Sequence, residues 1–263
     1  MTQEPHDLAA DLALAHRLAD AADEVTGPAF TGEPVAHEVK ADGSPVSAFD
    51  VAVERRISEV VAAERPGDGV LGEEVGESGS AERRWILDGI DGTVLFVAGI
   101  PGWSTQIALE VDGRPVVGVT TSGADRRRWW AARGAGAWYR KGDEPARRLR
   151  VSDRAGIAGG RYGLLPPADP LPPARERLVA RVDDAATYTP TSVHGALSVA
   201  DGRIETCVQF SGGPWDFAAL TVIVEEAGGR FSDLGGRFDI YGGGPTVYSN
   251  GTVHDEVLTA LRP

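Results

Sequence analysis

One cysteine, Cys207, stands in 263 residues, so no disulfide can form within the chain. A chain without cross-links fits a reducing cytoplasm. Basic residues are also scarce: 26 Lys and Arg against 39 Asp and Glu give a formal charge of −13. Nucleic acids and anionic membrane surfaces need a basic footprint, so neither is an expected partner. No apolar run reaches the ~20 residues that span a bilayer. The first residues, "MTQEPHDLAADLALAHRLAD", are acidic and lack the apolar core of a signal peptide. The five histidines, His6, His16, His37, His194 and His254, show no close metal-ligand spacing.

What remains is an ordinary globular composition, 42% hydrophobic and 25% charged. The length suits one large domain or two modest ones around a sizeable core. Asp7 to Val25 predicts an amphipathic helix, with Leu8, Leu12, Ala15, Ala19 and Ala22 at helical spacing. The turn-rich "KADGSPVSAFD" leads into a second helix carrying Val53, Ile57, Val60 and Val61, which "ERPGDG" stops. "GVLGEEVGESGSAERR" reads as a loop, and Trp85 to Leu87 as a short buried strand. Asp112-Gly113 predicts a hairpin between strands Ser104–Val111 and Arg114–Thr121. A second pair is expected at Trp129–Arg133 and Ala137–Arg140, and a strand at Thr206–Phe210. "LLPPADPLPPARERL" reads as a loop followed by a short helix. Trp215 to Ala227 predicts a helix stopped by Gly228-Gly229, and Thr252 to Leu261 a closing helix with Thr252 as N-cap.

The chemistry concentrates in "WILDGIDGT". Asp88 and Asp91 end an apolar run, where isolated charges are costly. A strand-to-loop corner can turn both carboxylates and an intervening carbonyl to one side, a set of hard oxygens that suits magnesium. Gly92 and Thr93 then open a short helix, whose first N–H groups suit a phosphate. Each piece has a plainer reading. The corner can be a simple turn, Glu73 and Glu74 a solvated acidic loop, and Asp216 a helix cap. Cys207 lacks the arginine cradle of a cysteine phosphatase and reads as core. The acids are three apart, where a phosphoaspartate enzyme of the haloacid dehalogenase type would have D-x-D-G-T. Arg126 to Arg128 read as a solvated face, and Trp129 and Trp130 as core or interface.

Taken in order, "KADGSPVSAFD", "GEE", "WILDGIDGT" and "WDFAALTVIVEEAGG" resemble the inositol monophosphatase family of magnesium-dependent phosphatases. The resemblance covers nearly the whole chain. "RRWWAARGAGAW" looks most like the bacterial histidinol-phosphate phosphatase branch. It implies an α/β fold, the layered α-β-α-β-α sandwich of that family. Residues 1–147 would form an N-terminal α+β half carrying most metal ligands, and 148–263 a C-terminal α/β half supplying Asp216 and substrate contacts. The site would lie between them. Glu73, Asp88, Asp91, Asp216 and the Ile90 carbonyl would bind two or three Mg2+ ions. Gly92, Thr93 and Lys40 would hold the phosphate. Thr93 paired with Asp50, helped by Glu73, would orient or activate water. Gln209, Ser192 and His194 would contact the rest of the substrate.

The substrate implied is a small-molecule phosphate ester, best taken as histidinol phosphate. Inositol phosphate, an intermediate of a specialised natural-product pathway, or a non-catalytic metal- and phosphate-binding relative are the alternatives. A homodimer is implied as well. The sequence departs from the family in four places. Gly89 replaces the usual proline and loosens the corner. Val94 and Leu95 replace polar residues, and Gln209 replaces a frequent acid. "TPTSVHGALSVADG" lacks the expected Gly-Asp or Gly-Ser start.

Overall fold

The computed structural model describes residues 7–165, 179–180 and 182–262. Most of the proline-rich stretch read as loop and short helix, and His6, lie outside the described residues. Chain order gives α1 (Leu8–Ala29), β1 (His37–Val39), β2 (Pro45–Ser47), α2 (Ala48–Glu64), β3 (Gly69–Gly72), β4 (Gly76–Ser78) and β5 (Arg83–Asp91). Then come α3 (Thr93–Val97), β6 (Ser104–Val111), β7 (Arg114–Ser122), β8 (Arg127–Ala132), β9 (Gly136–Lys141) and β10 (Arg147–Arg148). The rest is β11 (Arg161–Leu165), β12 (Thr187–Tyr188), α4 (Gly195–Ala200), β13 (Thr206–Gln209), α5 (Pro214–Glu226), β14 (Arg230–Asp233), β15 (Thr246–Ser249) and α6 (His254–Leu261).

Besides the small antiparallel pair β1-β2, two sheets alternate with three helical layers. The larger runs β10-β9-β8-β7-β6-β5-β3-β4 and the smaller β12-β11-β13-β15-β14. Leu14 and Leu18 of α1 and Val53 and Ile57 of α2 pack on Trp85 and Leu87 of β5. Ile86, Ala108 and Trp129 face the other way, onto α4 and α5. Cys207 and Tyr248 close the far side of α5, while Val208 and Val247 face Val257 and Leu258 of α6. Helix α5 is buried at every position from Phe217 to Val224, as a helix clamped between two sheets must be. The layered sandwich expected from the sequence is the fold observed. No helix among the described residues is long and apolar enough to cross a membrane.

Local chemistry sets several boundaries. The Asp7 carboxylate accepts the first free amides of α1, from Ala9 and Ala10. Asp112 and Gly113 both take positive φ, 50° and 75°, the turn that matches strand twist in a two-residue hairpin. Other expectations are corrected. The strand read at Trp85–Leu87 runs from Arg83 to Asp91, so the acids belong to it. The acidic loop contains β3, parallel to β5, and β4. Thr252 is not the N-cap: α6 starts at His254 after Val253, which makes no side-chain cap bond. Arg128 is not solvated; it is buried and pairs with Asp20 and Asp23 of α1, each at 2.7 Å.

Candidate active site

The acids of β5 converge because the strand is irregular there. Between the pairs Asp88–Gln106 and Asp91–Ser104, β5 advances three residues while β6 advances two. In a regular strand, residues three apart point to opposite faces. The extra residue, a β-bulge, restores Asp91 to the side that Ile86 and Asp88 share, toward α5. Asp216 meets them from the first turn of α5, its carboxylate accepting the Gly213 N–H at 2.6 Å. One oxygen from each of Asp88, Asp91 and Asp216 lies within 4.8 Å of the others.

That convergence is electrostatically unfavourable. Burial, then the charges of Glu73, Asp91 and Asp216, push the Asp88 carboxyl well above the usual carboxylate range. Burial and Asp216 do the same to Asp91, opposed by the Gln106 amide, which donates to it at 3.0 Å. Burial, aided by Glu73, pushes Asp216 up to about 7. A divalent cation relieves both the burial cost and the repulsion, and three hard oxygens on one side fit magnesium's preference.

Glu73 does not belong to that tight trio. Its amide donates to the Leu87 carbonyl, fixing the turn after β3 to β5. Its carboxylate accepts from Lys40 Nζ at 2.7 Å, and Lys40 also pairs with Glu74. Burial works against the Lys40 ammonium, but its bonds to Glu73 and Glu74 outweigh it and raise its pKa. Lys40, expected over the phosphate, is thus seated on the acidic turn.

Thr93, Asp50 and Gly92 meet at the corner that follows β5. Thr93 Oγ1 lies 2.9 Å from both Asp50 Oδ1 and the Ile90 carbonyl, and its one proton serves one of them at a time. The other Asp50 oxygen closes a capping box on Ser47 at the start of α2. Gly92 takes φ 87° as N-cap of α3, whose first amides have no partner within the helix. A Cβ there would stand 2.8 Å from Val193 Cγ1, so the segment before α4 abuts this corner.

Ser192 and His194 flank that contact. The His194 ring packs on Trp129 at 5.2 Å, and its Nδ1 lies 3.4 Å from Ser192 Oγ. Burial, then the Arg127 charge, lowers its pKa to about 4, so it is neutral at pH 7. Gln209 ends β13, buried, its Nε2 on the Ser211 carbonyl and its Oε1 unpartnered. None of these three hydrogen-bonds the acidic trio. Cys207 is buried with its thiol pushed up to about 12, which suits core and not a nucleophile.

Sequence reasoning missed the supports. Gln106 orients Asp91 and is itself held by Thr120 at 2.6 Å; Thr105 donates to the Gly89 carbonyl at 2.7 Å. Glu54 was also missed, although it lies one helical turn after Asp50, between Val53 and Ile57. A charge beside an apolar stripe was the available signal.

The sequence model described as "Inositol monophosphatase family" matches residues 7–263. A Mycobacterium tuberculosis protein named histidinol-phosphatase is 41% identical over 256 residues, covering 95% of this chain and 97% of its own length. A Streptomyces griseus protein named glucose-1-phosphate thymidylyltransferase is 43% identical over 231 residues, 85% of this chain and 86% of that one. Among solved structures, the extragenic suppressor protein SuhB from Bartonella henselae superimposes with a TM-score of 0.85 at 27% identity, over 96% of this chain and 98% of that one.

Proposed function

The chain belongs to the inositol monophosphatase family and is a phosphoric monoester hydrolase, and from that premise we propose that it hydrolyses histidinol phosphate with two or three Mg2+ ions. The observation that carries the reading is the meeting of Asp88, Asp91 and Asp216 within 4.8 Å beside the Gly92–Thr93 corner. Asp88, Asp91, Asp216, Glu73 and the Ile90 carbonyl would hold the ions. When bound, they neutralise phosphate oxygens, lower the pKa of water and stabilise the leaving alkoxide.

The protein groups divide the remaining work. The amides of Gly92 and Thr93 bind phosphate oxygens, and Gly92 keeps the space before them free of a side chain. Thr93 donates its hydroxyl hydrogen bond to Asp50 and keeps its proton, which leaves its own lone pairs open to accept a hydrogen bond from the attacking water. Asp50 stays fixed for this because Ser47 anchors its other oxygen. Glu73 contributes from the acidic turn once Lys40 releases it, and Lys40 then answers the phosphate charge. Ser192, His194 and Gln209 contact the alcohol half. We place the reaction in a cytoplasmic homodimer.

A second reading has its own support. Gln209 and His194 are both neutral at pH 7, so neither answers the ammonium of histidinol, and an uncharged polyol phosphate of the inositol type fits them. Parallel kinetics on histidinol phosphate, inositol 1-phosphate and glycerol phosphate decide. The proposal expects the highest kcat/KM on histidinol phosphate and a further rise in that preference with Gln209→Glu. A carboxylate ~4 Å from an ammonium gains about 1 to 4 kcal/mol before desolvation is subtracted. A preference for inositol phosphate that Gln209→Glu leaves unchanged would overturn it.

A further inference from the structure

Glu54 is wholly buried in α2, yet its partners are not in α2. One carboxylate oxygen accepts the backbone N–H groups of Glu74 and Val75, each at 2.9 Å. The other accepts the Gly89 N–H at 3.2 Å. The donors are the two residues that follow Glu73 and the one that follows Asp88. The two segments are otherwise joined here by the Glu73 amide on the Leu87 carbonyl.

Two glycines make room for this contact. A Cβ on Gly72 would stand 2.3 Å from Glu54 Oε2. A Cβ on Gly89 would stand 2.5 Å from the Asp50 carbonyl and 3.2 Å from Glu54 Cγ. Gly89 lets α2 approach and supplies an amide that proline cannot donate. A buried carboxylate satisfied by three amides could be inert packing. Here the amides flank two candidate ligands, one in the turn after β3 and one on β5, so moving Glu54 moves the ligands relative to each other.

We propose that Glu54 is a positioning residue that sets the spacing between the Glu73 turn and the Asp88 corner. The proposal rests on reading those acids as metal ligands. Glu54→Gln is the informative change. Its carbonyl can accept from one side, but its NH2 then faces a backbone N–H on the other, donor against donor. Removing such outer supports weakens metal sites by about 10- to 100-fold.

The test pairs Mg2+ titration calorimetry with amide hydrogen exchange on the full-length wild type and Glu54→Gln. The expected result is an Mg2+ dissociation constant raised about tenfold or more. Exchange should quicken at Glu74, Val75 and Gly89 and stay unchanged in α1 and α6. Equal Mg2+ affinity and equal exchange in Glu54→Gln would overturn the positioning role while leaving the ligand assignment standing. Absence of Mg2+ binding by the wild type would overturn both. If Glu54→Gln does not fold, the wild type decides: protection shared by the three amides supports the brace, and exchange at unprotected rates refutes it.

Discussion

Asp216 shows at a single residue what the site costs the fold. Its carboxyl titrates near 7 in the folded chain, mainly because it is buried, against an ordinary value of about 4 in the unfolded chain. Between those values the folded protein holds a proton that the unfolded one has released. Stability of the metal-free protein therefore falls as pH rises from about 4 to about 7, and the loss is complete above that. Asp216→Asn keeps an acceptor for the Gly213 N–H and removes the charge. In EDTA-treated protein, the variant is expected to melt above the wild type at pH 8 and level with it near pH 4. Melting curves across that range check this; a gap independent of pH would mean Asp216 carries no burial penalty. Asp88 and Asp91 were legible in the sequence, because acids at the end of an apolar run demand an explanation. Gln106, Thr105 and Thr120 were not, because a polar residue in a strand pattern gives no sign of which carboxylate or carbonyl it will meet.

At the scale of elements, the proposed site rests on the strand-to-helix corner. The bulge in β5 aims the acids and the left-handed Gly92 starts α3. Gly92→Ala is expected to lower kcat/KM about tenfold or more. An L-residue at that φ costs roughly 1–2 kcal/mol, and its Cβ must also displace Val193. Steady-state kinetics with a melting curve would show the loss falling on activity more than on stability; unchanged kinetics would mean the corner does not hold the phosphate. Helices α1, α2 and α5 and the β6–β7 hairpin were legible from periodicity and the Asp-Gly turn. Strands β3, β14 and β15 were not, because each is four residues long and too short to display a period. The bulge was hidden for a related reason: register belongs to two strands together, and one strand's sequence does not state it.

Across the whole molecule, the sandwich brings chemistry together by stacking. Asp88 and Asp91 come from the larger sheet, and Asp216 from a helix held between both sheets. The layered class was legible only through the ordered motifs and their family resemblance, since composition permits many α/β folds. The stacking also makes the acidic trio a repulsive centre in a chain already at −13. We propose that this trio holds the cation that drives phosphate release. The most direct test is phosphate release measured against Mg2+ concentration for the wild type and Asp88→Asn. The account expects no release without Mg2+ and saturable activation of the wild type. Asp88→Asn should fold but lose at least about a hundredfold in kcat/KM, no less than the loss of an outer support costs a metal site. Wild-type release that persists in EDTA, or an Asp88→Asn variant that turns over normally with Mg2+, would contradict it.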